Sequence, residues 1–260
     1  MCLVLLAHRV DPRQPLLLLG NRDEFHSRPS AAAAPWPEDP RVVGGRDLQA
    51  GGAWLGLRAD GHFAVVTNRR QPQSPPTPRS RGALVRDYLL GQLGAADFAA
   101  QAAREHAAYG PFNLLLGDAA GTAFGVDGVS GRAFVLEPGL HVMSNGPWHA
   151  HWPKTERLRA GAAARLTEGA NDDALLDLLA DTAQPADAAL PDTGVGLERE
   201  RLLAPIFIRG TEYGTRTSSL IRVRDDGIRV LRERRYGRDG TASGEARWRR
   251  EPSAPRWAPD

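Results

Sequence analysis

The chain has 260 residues, of which 42% are hydrophobic and 25% are charged, enough to bury the core of a globular protein. Its formal net charge of +2 and its scattered arginines do not indicate a nucleic-acid partner. The one cysteine, Cys2, excludes an intramolecular disulfide and a multi-thiolate metal site.

The first residues do not have the basic leader, long apolar span and small-residue cleavage site of a signal peptide. No run of about 18 apolar residues occurs, so the sequence predicts no membrane span. We therefore expect a cytoplasmic protein.

The first 70 residues have the apolar pattern of antiparallel strands. Two leucine-rich runs, residues 2–8 and 15–21, flank a turn that contains Asp-Pro, and they predict a hairpin buried on both faces. Residues 51–68 predict a second hairpin. Residues 69–82 are rich in proline and arginine, which favours a long loop over a helix or a central strand.

The rest of the chain groups helices and strands. An apolar face at residues 84–89 and an alanine-rich run at 95–109 predict two helices. The later predicted elements are strands at 112–118, 122–127, 132–137 and 140–145, helices from about 155 and over 172–181, a loop at 184–196 and a hairpin over 213–237. Residues 244–260 are either a last edge strand or a flexible tail. This order does not fit βαβ alternation and predicts antiparallel sheets with helices outside them, in one domain over residues 1–260.

Four of the predicted strands carry polar side chains at one end. If these ends meet on one rim of a sheet, their amides, guanidiniums and carboxylates form a site suited to an oxyanion or a carboxylate ligand. Each residue taken alone could instead be a turn former or part of a surface ion pair, which contributes under about 1 kcal/mol. These residues are Asn21, Arg22, Asp23, Glu24, Thr67, Asn68, Ser144, Asn145 and Arg216.

Cys2 is the candidate nucleophile. Removal of Met1, which is common before a small second residue, would leave a cysteine with both a thiol and a free α-amine. In model peptides the amine titrates near about 8 and the thiol near about 8.5, so the amine can act as the base for the thiol. The hairpin places Cys2 beside Arg22 and Asp23, and a neighbouring arginine favours the thiolate. The alternative is that Cys2 is a small buried apolar residue at a strand start.

Several motifs resemble those of the NRDE family, also called the transport and Golgi organisation protein 2 family. The resemblance runs in order from Met1 to about Val223 and rests on GNRDEF, GGAWLGL, VVTNRR, SRG, YGPFNLLLGD, MSNGPWHAHWPK and YGTRTSS. The family is similar to N-terminal nucleophile (Ntn) hydrolases of the choloylglycine hydrolase and penicillin V acylase type. This resemblance implies an α+β fold, a four-layer αββα sandwich in which two antiparallel sheets lie between helices.

The same resemblance implies roles for individual residues. These hydrolases cleave amide bonds with a cysteine that is exposed by removal of the initiator methionine. The implied catalytic residues are Cys2, Arg22, Asp23, Asn68, Asn145 and Arg216. The implied substrate-binding residues are Asn21, Glu24, Thr67 and Ser144, and no metal ligand is implied.

One motif departs from the hydrolase pattern. Those enzymes usually read Gly-Arg-Asn-x-Asp, whereas this chain reads Gly20-Asn21-Arg22-Asp23. Because side chains alternate between the two faces of a strand, the shorter spacing can aim one of the two charged groups away from the thiol.

Two functions remain open from the sequence. The first is an amide hydrolase or acyltransferase for a small-molecule substrate, which needs no metal or cofactor. The second is a non-catalytic protein that binds or transports haem or another hydrophobic small molecule, because eukaryotic relatives of the family are linked to haem movement. The conceivable iron ligands are Cys2, His8, His26, His62, His106, His141, His149 and His151. The sequence carries no signal of oligomeric state.

Overall fold

The computed structural model describes residues 2–71, 77–254 and 256–260. Residues 72–76, which belong to the predicted proline-rich loop, lie outside the described residues.

The described strands form two antiparallel sheets of seven strands each. The first sheet has the order β10 (Gly139–Met143), β1 (Cys2–Asp11), β2 (Gln14–Phe25), β11 (Tyr213–Val223), β12 (Arg229–Tyr236), β13 (Ala242–Arg250) and β14 (Ala258–Pro259). The second has the order β3 (Ser30–Pro35), β4 (Val42–Asp47), β5 (Leu55–Arg58), β6 (Phe63–Asn68), β7 (Phe112–Gly117), β8 (Ala123–Asp127) and β9 (Arg132–Val135). The predicted antiparallel pairing is confirmed.

Strands β1 and β2 form the predicted first hairpin and are buried on both faces. Leu3 and Leu5 pack against the helices, whereas Val4 and Leu6 pack into the core between the two sheets. An unbroken apolar run is what a strand covered on both sides requires, because its alternate side chains meet two different layers.

Helices cover the outer faces of both sheets. On the second sheet, α1 (Arg81–Leu90) and α2 (Ala95–Arg104) pack through residues such as Tyr88 and Phe98. On the first sheet, α3 (Pro153–Thr167) and α4 (Asp172–Asp177) pack through Leu158 and Leu175. A short helix, α5 (Leu197–Leu203), precedes β11. The order helices, sheet, sheet, helices confirms the expected four-layer αββα sandwich.

The structure adds elements that the sequence patterns did not predict. The alanine-rich run Ser30–Pro35 forms the edge strand β3, although alanine favours helix. Tertiary pairing overrides that preference, because β3 hydrogen-bonds to β4 and the backbone N–H of Ala33 donates to Glu233 of the first sheet at 2.8 Å. Helix α5 was also missed, since seven residues are too short for a clear apolar period.

The C-terminal residues extend the first sheet. Strand β13 pairs with β12, and β14 pairs with β13. Trp257 is buried, and its indole N–H donates to the carbonyl of Arg41 at 2.8 Å. These contacts place the C-terminal segment as edge strands of the sheet.

In the part of the chain that the structure describes, every helix is too short or too polar to cross a bilayer.

Candidate functional site

The thiol of Cys2 lies at the start of β1, between the two sheets. Cys2 is the direct antiparallel partner of Arg22 on β2, which confirms the predicted proximity of the two residues. Because Val4 and Leu6 face the core between the sheets, the period of two puts Cys2 on that same face. Cys2 is 8% exposed.

Cys2 borders a polar cavity of about 110 Å³. Three parts of the fold form its walls: the open end of the first hairpin, the second sheet, and the N-terminal turn of α1. The described residues that line it are Cys2, Arg22, Asp23, Glu24, Arg28, Asp47, Ala53, Trp54, Val66, Asn68, Ser80, Arg81 and Gly82.

Arg22 is held by an aromatic residue of the opposite sheet. It is 5% exposed, and its guanidinium carbon lies 4.4 Å from the ring centre of Trp54. Its Nη1 has no hydrogen-bond partner among the described residues. Gly45 leaves the space for this indole, because a Cβ at that position would overlap the Trp54 ring. The stacking therefore leaves a cationic N–H group buried beside the cavity.

Burial raises the pKa of the Cys2 thiol. The charge of Asp23 also raises this pKa, whereas the charge of Arg22 and a hydrogen bond from the backbone of Asp23 lower it. The uncharged thiol is consequently favoured at neutral pH, and a nucleophilic thiolate would require a base that removes its proton.

The carboxylate of Asp23 points to the side of β2 that faces the helices. Thr215 donates its hydroxyl to Asp23 Oδ1 at 2.7 Å, and Asp23 is 1% exposed. Asn21, two residues earlier, has the same orientation: its amide donates to the carbonyls of Leu179 and Ile206, each at 2.8 Å. Arg22 and Asp23 thus flank the strand on opposite faces, which is the divergence that the shortened motif allowed.

Three predicted site residues form hydrogen bonds that connect the ends of neighbouring strands. Ser144 donates to the carbonyl of Cys2 at 3.0 Å, and Thr67 donates to the carbonyl of Ser144 at 2.8 Å. Asn145 donates to the carbonyl of Asn68 at 2.7 Å. Ser144, Thr67 and Asn145 lie outside the cavity lining, and their hydrogen bonds hold the ends of β10 and β6 against the start of β1. The polar strand ends therefore meet across two sheets and not, as expected, on the rim of one.

Glu24 and Asn68, in contrast to Ser144, Thr67 and Asn145, line the cavity. Both are partly exposed. They also border a neighbouring groove of about 650 Å³, whose apolar walls include Phe25, Leu202 and Tyr213. The two residues therefore stand where the small polar cavity opens into a larger, mainly apolar one.

Arg216 does not reach the cavity. It is the extra residue of a bulge in β11, between the partners of Asp23 and Arg22. Its guanidinium donates to the carbonyls of Phe25 at 2.9 Å and Arg28 at 3.2 Å. In this structure Arg216 fixes the segment that follows β2.

Sequence reasoning missed Arg81, which enters the cavity from the first turn of α1. Ser80 caps this helix by accepting the N–H of Gly82 at 3.3 Å. Gly52 lets the start of α1 pack closely against the backbone at residue 52, because a Cβ there would overlap the backbone of Gly82. The glycines in GGAWLGL and SRG were the available signal, since they mark this close backbone approach.

The charges of the cavity are partly paired. Arg28 binds Asp47 at 2.6 Å and lies 3.9 Å from Glu24. Burial lowers the pKa of Arg81, and the charge of Glu24 opposes that shift. Arg22 and Arg81 have no carboxylate within ion-pair distance among the described residues. A bound anionic group or a negative charge that develops during reaction would be stabilised here.

None of the histidines is among the described residues that line this cavity. His149 and His151 are in the turn before α3, where His151 lies 3.1 Å from Glu156. In the described part of the chain, no group of three His, Cys, Asp or Glu side chains is arranged to hold a metal ion.

Comparison with known proteins agrees with the fold and the motifs. The family model described as Transport and Golgi organisation 2 matches residues 1–238. The human Transport and Golgi organization protein 2 homolog is 31% identical over 258 residues, covering 90% of this chain and 92% of the relative, and the mouse homolog is 29% identical over 257 residues with the same coverage.

Among solved structures, the C2A mutant of conjugated bile acid hydrolase from Clostridium perfringens is similar, with a TM-score of 0.52 and 9% identity over 100% of this chain and 96% of that one. At that identity the likeness concerns the fold alone, and it agrees with the expected Ntn-hydrolase sandwich. The family match over most of the chain and the relatives near 30% identity confirm the resemblance seen in the motifs. The chain belongs to the Transport and Golgi organisation 2 family and has an Ntn-hydrolase-like fold.

Proposed function

We propose that this protein is a cysteine-dependent amide hydrolase or acyltransferase that acts on a small amide or acyl substrate after removal of Met1. The observation that carries the proposal is the position of Cys2: its thiol borders a cavity opposite Arg22, whose Nη1 has no partner among the described residues. The Ntn-hydrolase-like fold supports the same reaction class by analogy.

The reaction begins with proton transfer inside one residue. The free α-amine of Cys2 accepts the thiol proton, and the sulfur attacks the substrate carbonyl carbon to give a tetrahedral oxyanion. Collapse of this intermediate breaks the carbon–nitrogen bond, and the protonated α-amine gives its proton to the leaving amine. Water hydrolyses the resulting thioester, or a second nucleophile takes the acyl group. A base is needed because burial raises the thiol pKa.

Other groups around the cavity have complementary roles in this proposal. Arg22 and Arg81 stabilise negative charge on the substrate or on the oxyanion. Asn68, at the junction of the cavity and the groove, is the side chain best placed to contact the scissile group. The apolar part of the substrate lies along Phe25 and Leu202, which are 54% and 42% exposed in the groove.

The decisive experiment is a thiol-reactive acyl probe with peptide mapping and intact mass spectrometry. We expect labelling on Cys2 in protein that has lost Met1, and loss of both labelling and amide turnover in Cys2→Ala. Cys2→Ser is the matched control, because it keeps the size of the side chain but replaces the thiol with a hydroxyl, which is a weaker nucleophile. Full turnover by Cys2→Ala, or by protein that retains Met1, would refute the proposal.

A further inference from the structure

A second polar cavity, of about 110 Å³, lies between the edge strand β3 and the first sheet. Strands β11, β12 and β13 form the wall opposite β3. The polar groups that line this cavity belong to Arg216, Thr217, Glu233, Arg235 and Ser243, among others. Among the described residues, none lines both this cavity and that of Cys2. We refer to it as the Arg235 cavity.

The register of the first sheet places the Arg235 cavity on the same face as Cys2. Cys2 pairs with Arg22 on β2, which pairs with Thr217 on β11. Thr217 in turn pairs with Arg235 on β12. Directly paired residues of an antiparallel sheet point to the same face, so this row of side chains faces the second sheet. Since neighbouring strands lie about 4.8 Å apart, Arg235 is roughly 14 Å from Cys2 across the sheet.

Two buried donor groups of the Arg235 cavity have no partner within the described chain. Thr217 is 5% exposed, and its Oγ1 makes no hydrogen bond there. The Nε of Arg235 is also buried and unpaired. Gly244, which pairs with Arg235 from β13, leaves room for the guanidinium, because a Cβ at that position would overlap Nη2. Buried donors without an acceptor are costly, so a ligand that brings acceptor oxygens would be stabilised here.

The charges of the cavity favour an anion as that ligand. Arg216 and Arg235 have no carboxylate within ion-pair distance in the described part of the chain, and Nη1 of Arg216 donates to backbone carbonyls. Other arginines of the same strands do pair with carboxylates, namely Arg222, Arg232 and Arg234. Water can accept hydrogen bonds from these donors but does not balance two positive charges, whereas an anion does both.

Glu233 is the one acid among the described residues that line the cavity. Its Oε1 accepts the N–H of Ala33 at 2.8 Å, and burial raises its pKa to about 7. About half of the Glu233 side chains are therefore uncharged near neutral pH. With two guanidiniums and at most one carboxylate, the lining carries a net positive charge in either state of Glu233.

The arrangement of the donors suits a tetrahedral oxyanion. A guanidinium binds phosphate through two parallel hydrogen bonds, and a hydroxyl on another strand can donate to a further oxygen, whereas a carboxylate has two oxygens in one plane. A volume of about 110 Å³ has room for several water-sized groups, enough for a phosphate group. We propose that the Arg235 cavity binds a phosphate group, as the free ion or as a monoester, through Arg235, Thr217 and Arg216. This site does not depend on the chemistry proposed for Cys2.

Calorimetric titration of the full chain with inorganic phosphate, at pH 7.5 and constant ionic strength, tests the proposal. We expect saturable binding whose Kd rises about tenfold or more in Arg235→Gln, because a charge-assisted hydrogen bond is lost. Thr217→Val keeps the shape of the side chain and removes the hydroxyl, so the Kd should rise about fivefold. Glu233→Gln should lower the Kd, because it removes the carboxylate. Unchanged affinity in Arg235→Gln and Thr217→Val, or no saturable binding by the wild type, would overturn the proposal.

Two further variants are controls for this titration. Arg234→Gln makes the same change of net charge on the opposite face of β12, where Arg234 pairs with Asp173. Arg81→Gln removes a cation from the cavity of Cys2. Both should keep the Kd within about twofold of the wild-type value, because salt screens distant charges. Loss of binding in Arg81→Gln, with binding retained in Arg235→Gln, would assign the phosphate to the cavity of Cys2 and reject the Arg235 cavity.

NMR of the wild type covers the case in which the variants do not fold. In ¹⁵N-labelled protein, the Nε–H signal of Arg235, assigned through its backbone, should shift with phosphate concentration along the calorimetric curve. Methyl phosphate distinguishes the two sources: equal affinity shows that a monoester fits, and weaker binding shows that the free ion is the ligand. A signal that does not shift, or acetate that binds as tightly as phosphate, would contradict the site.

Discussion

Arg22 of the first sheet stacks on Trp54 of the second, with the guanidinium carbon 4.4 Å from the ring centre. This contact crosses the core between the sheets and holds the cation opposite Cys2. A desolvated cation–π contact contributes about 2 kcal/mol, so the indole matters both for stability and for the position of the charge.

Replacing Trp54 should therefore affect both properties. We expect Trp54→Leu to lower the free energy of unfolding by about 3 kcal/mol, from lost burial and lost stacking, and to slow labelling of Cys2 by the acyl probe. Trp54→Phe keeps an aromatic face and should retain most of the labelling rate. Denaturant titration and timed mass spectrometry measure the two effects. Identical labelling by the leucine variant and the wild type would contradict a role for the stacking.

Gly45 provides the space that the Trp54 ring occupies. We expect Gly45→Ala to lower the free energy of unfolding by about 1–3 kcal/mol, because the added Cβ would overlap the ring. Gly94→Ala is the control, since the structure places no atom within 4 Å of a Cβ there and the backbone φ is −63°. Comparable losses in the two variants, measured in urea, would speak against the steric explanation.

Glu233 should make stability depend on pH. Its Oε1 accepts the Ala33 N–H at 2.8 Å across the sheets, and burial raises its pKa from 4.5 to about 7. Between these values the folded state binds more protons than the unfolded state. The contribution of Glu233 to the free energy of unfolding is therefore fully present below pH 4.5 and decreases as the pH rises to 7. The loss amounts to about 3 kcal/mol.

The comparison with Glu233→Gln isolates this contribution, because glutamine keeps the acceptor but does not titrate. We expect the free energy of unfolding of the variant, relative to wild type, to increase by about 3 kcal/mol between pH 4.5 and 7.5. Urea denaturation at several pH values measures the difference. Parallel curves for the two proteins would show that Glu233 keeps an ordinary pKa.

Substitutions of Arg81 and Arg216 should distinguish a residue that contacts the substrate in the cavity from one that only stabilises the fold. Arg81→Gln is expected to slow Cys2 labelling by an acyl probe that bears a carboxylate more than labelling by a neutral probe of similar size, because a cation leaves the cavity. Arg216→Gln loses hydrogen bonds to the carbonyls of Phe25 and Arg28, so it should lower stability by about 1–3 kcal/mol and leave probe selectivity unchanged. The opposite pattern would assign the substrate contact to Arg216.

Much of the fold follows from local patterns. The two leucine-rich runs and the turn between them predicted the hairpin, and its antiparallel register predicted that Cys2 meets Arg22. The motif spacing also indicated that one of Arg22 and Asp23 can point away from the thiol, because alternation along a strand is a local property. The edge strand β3 was not predictable in this way, since its alanine-rich sequence forms a strand only through pairing with β4.

Local sequence patterns are enough to predict the hairpin, the family and the polar strand ends that include the candidate nucleophile. Contacts between distant segments select the side chains that surround the thiol: they bring in Trp54 and Arg81 and leave Arg216 outside the cavity. Periodicity fixes the face of a strand on which a side chain lies, but contacts across sheets and helices depend on the packing of segments far apart in the chain.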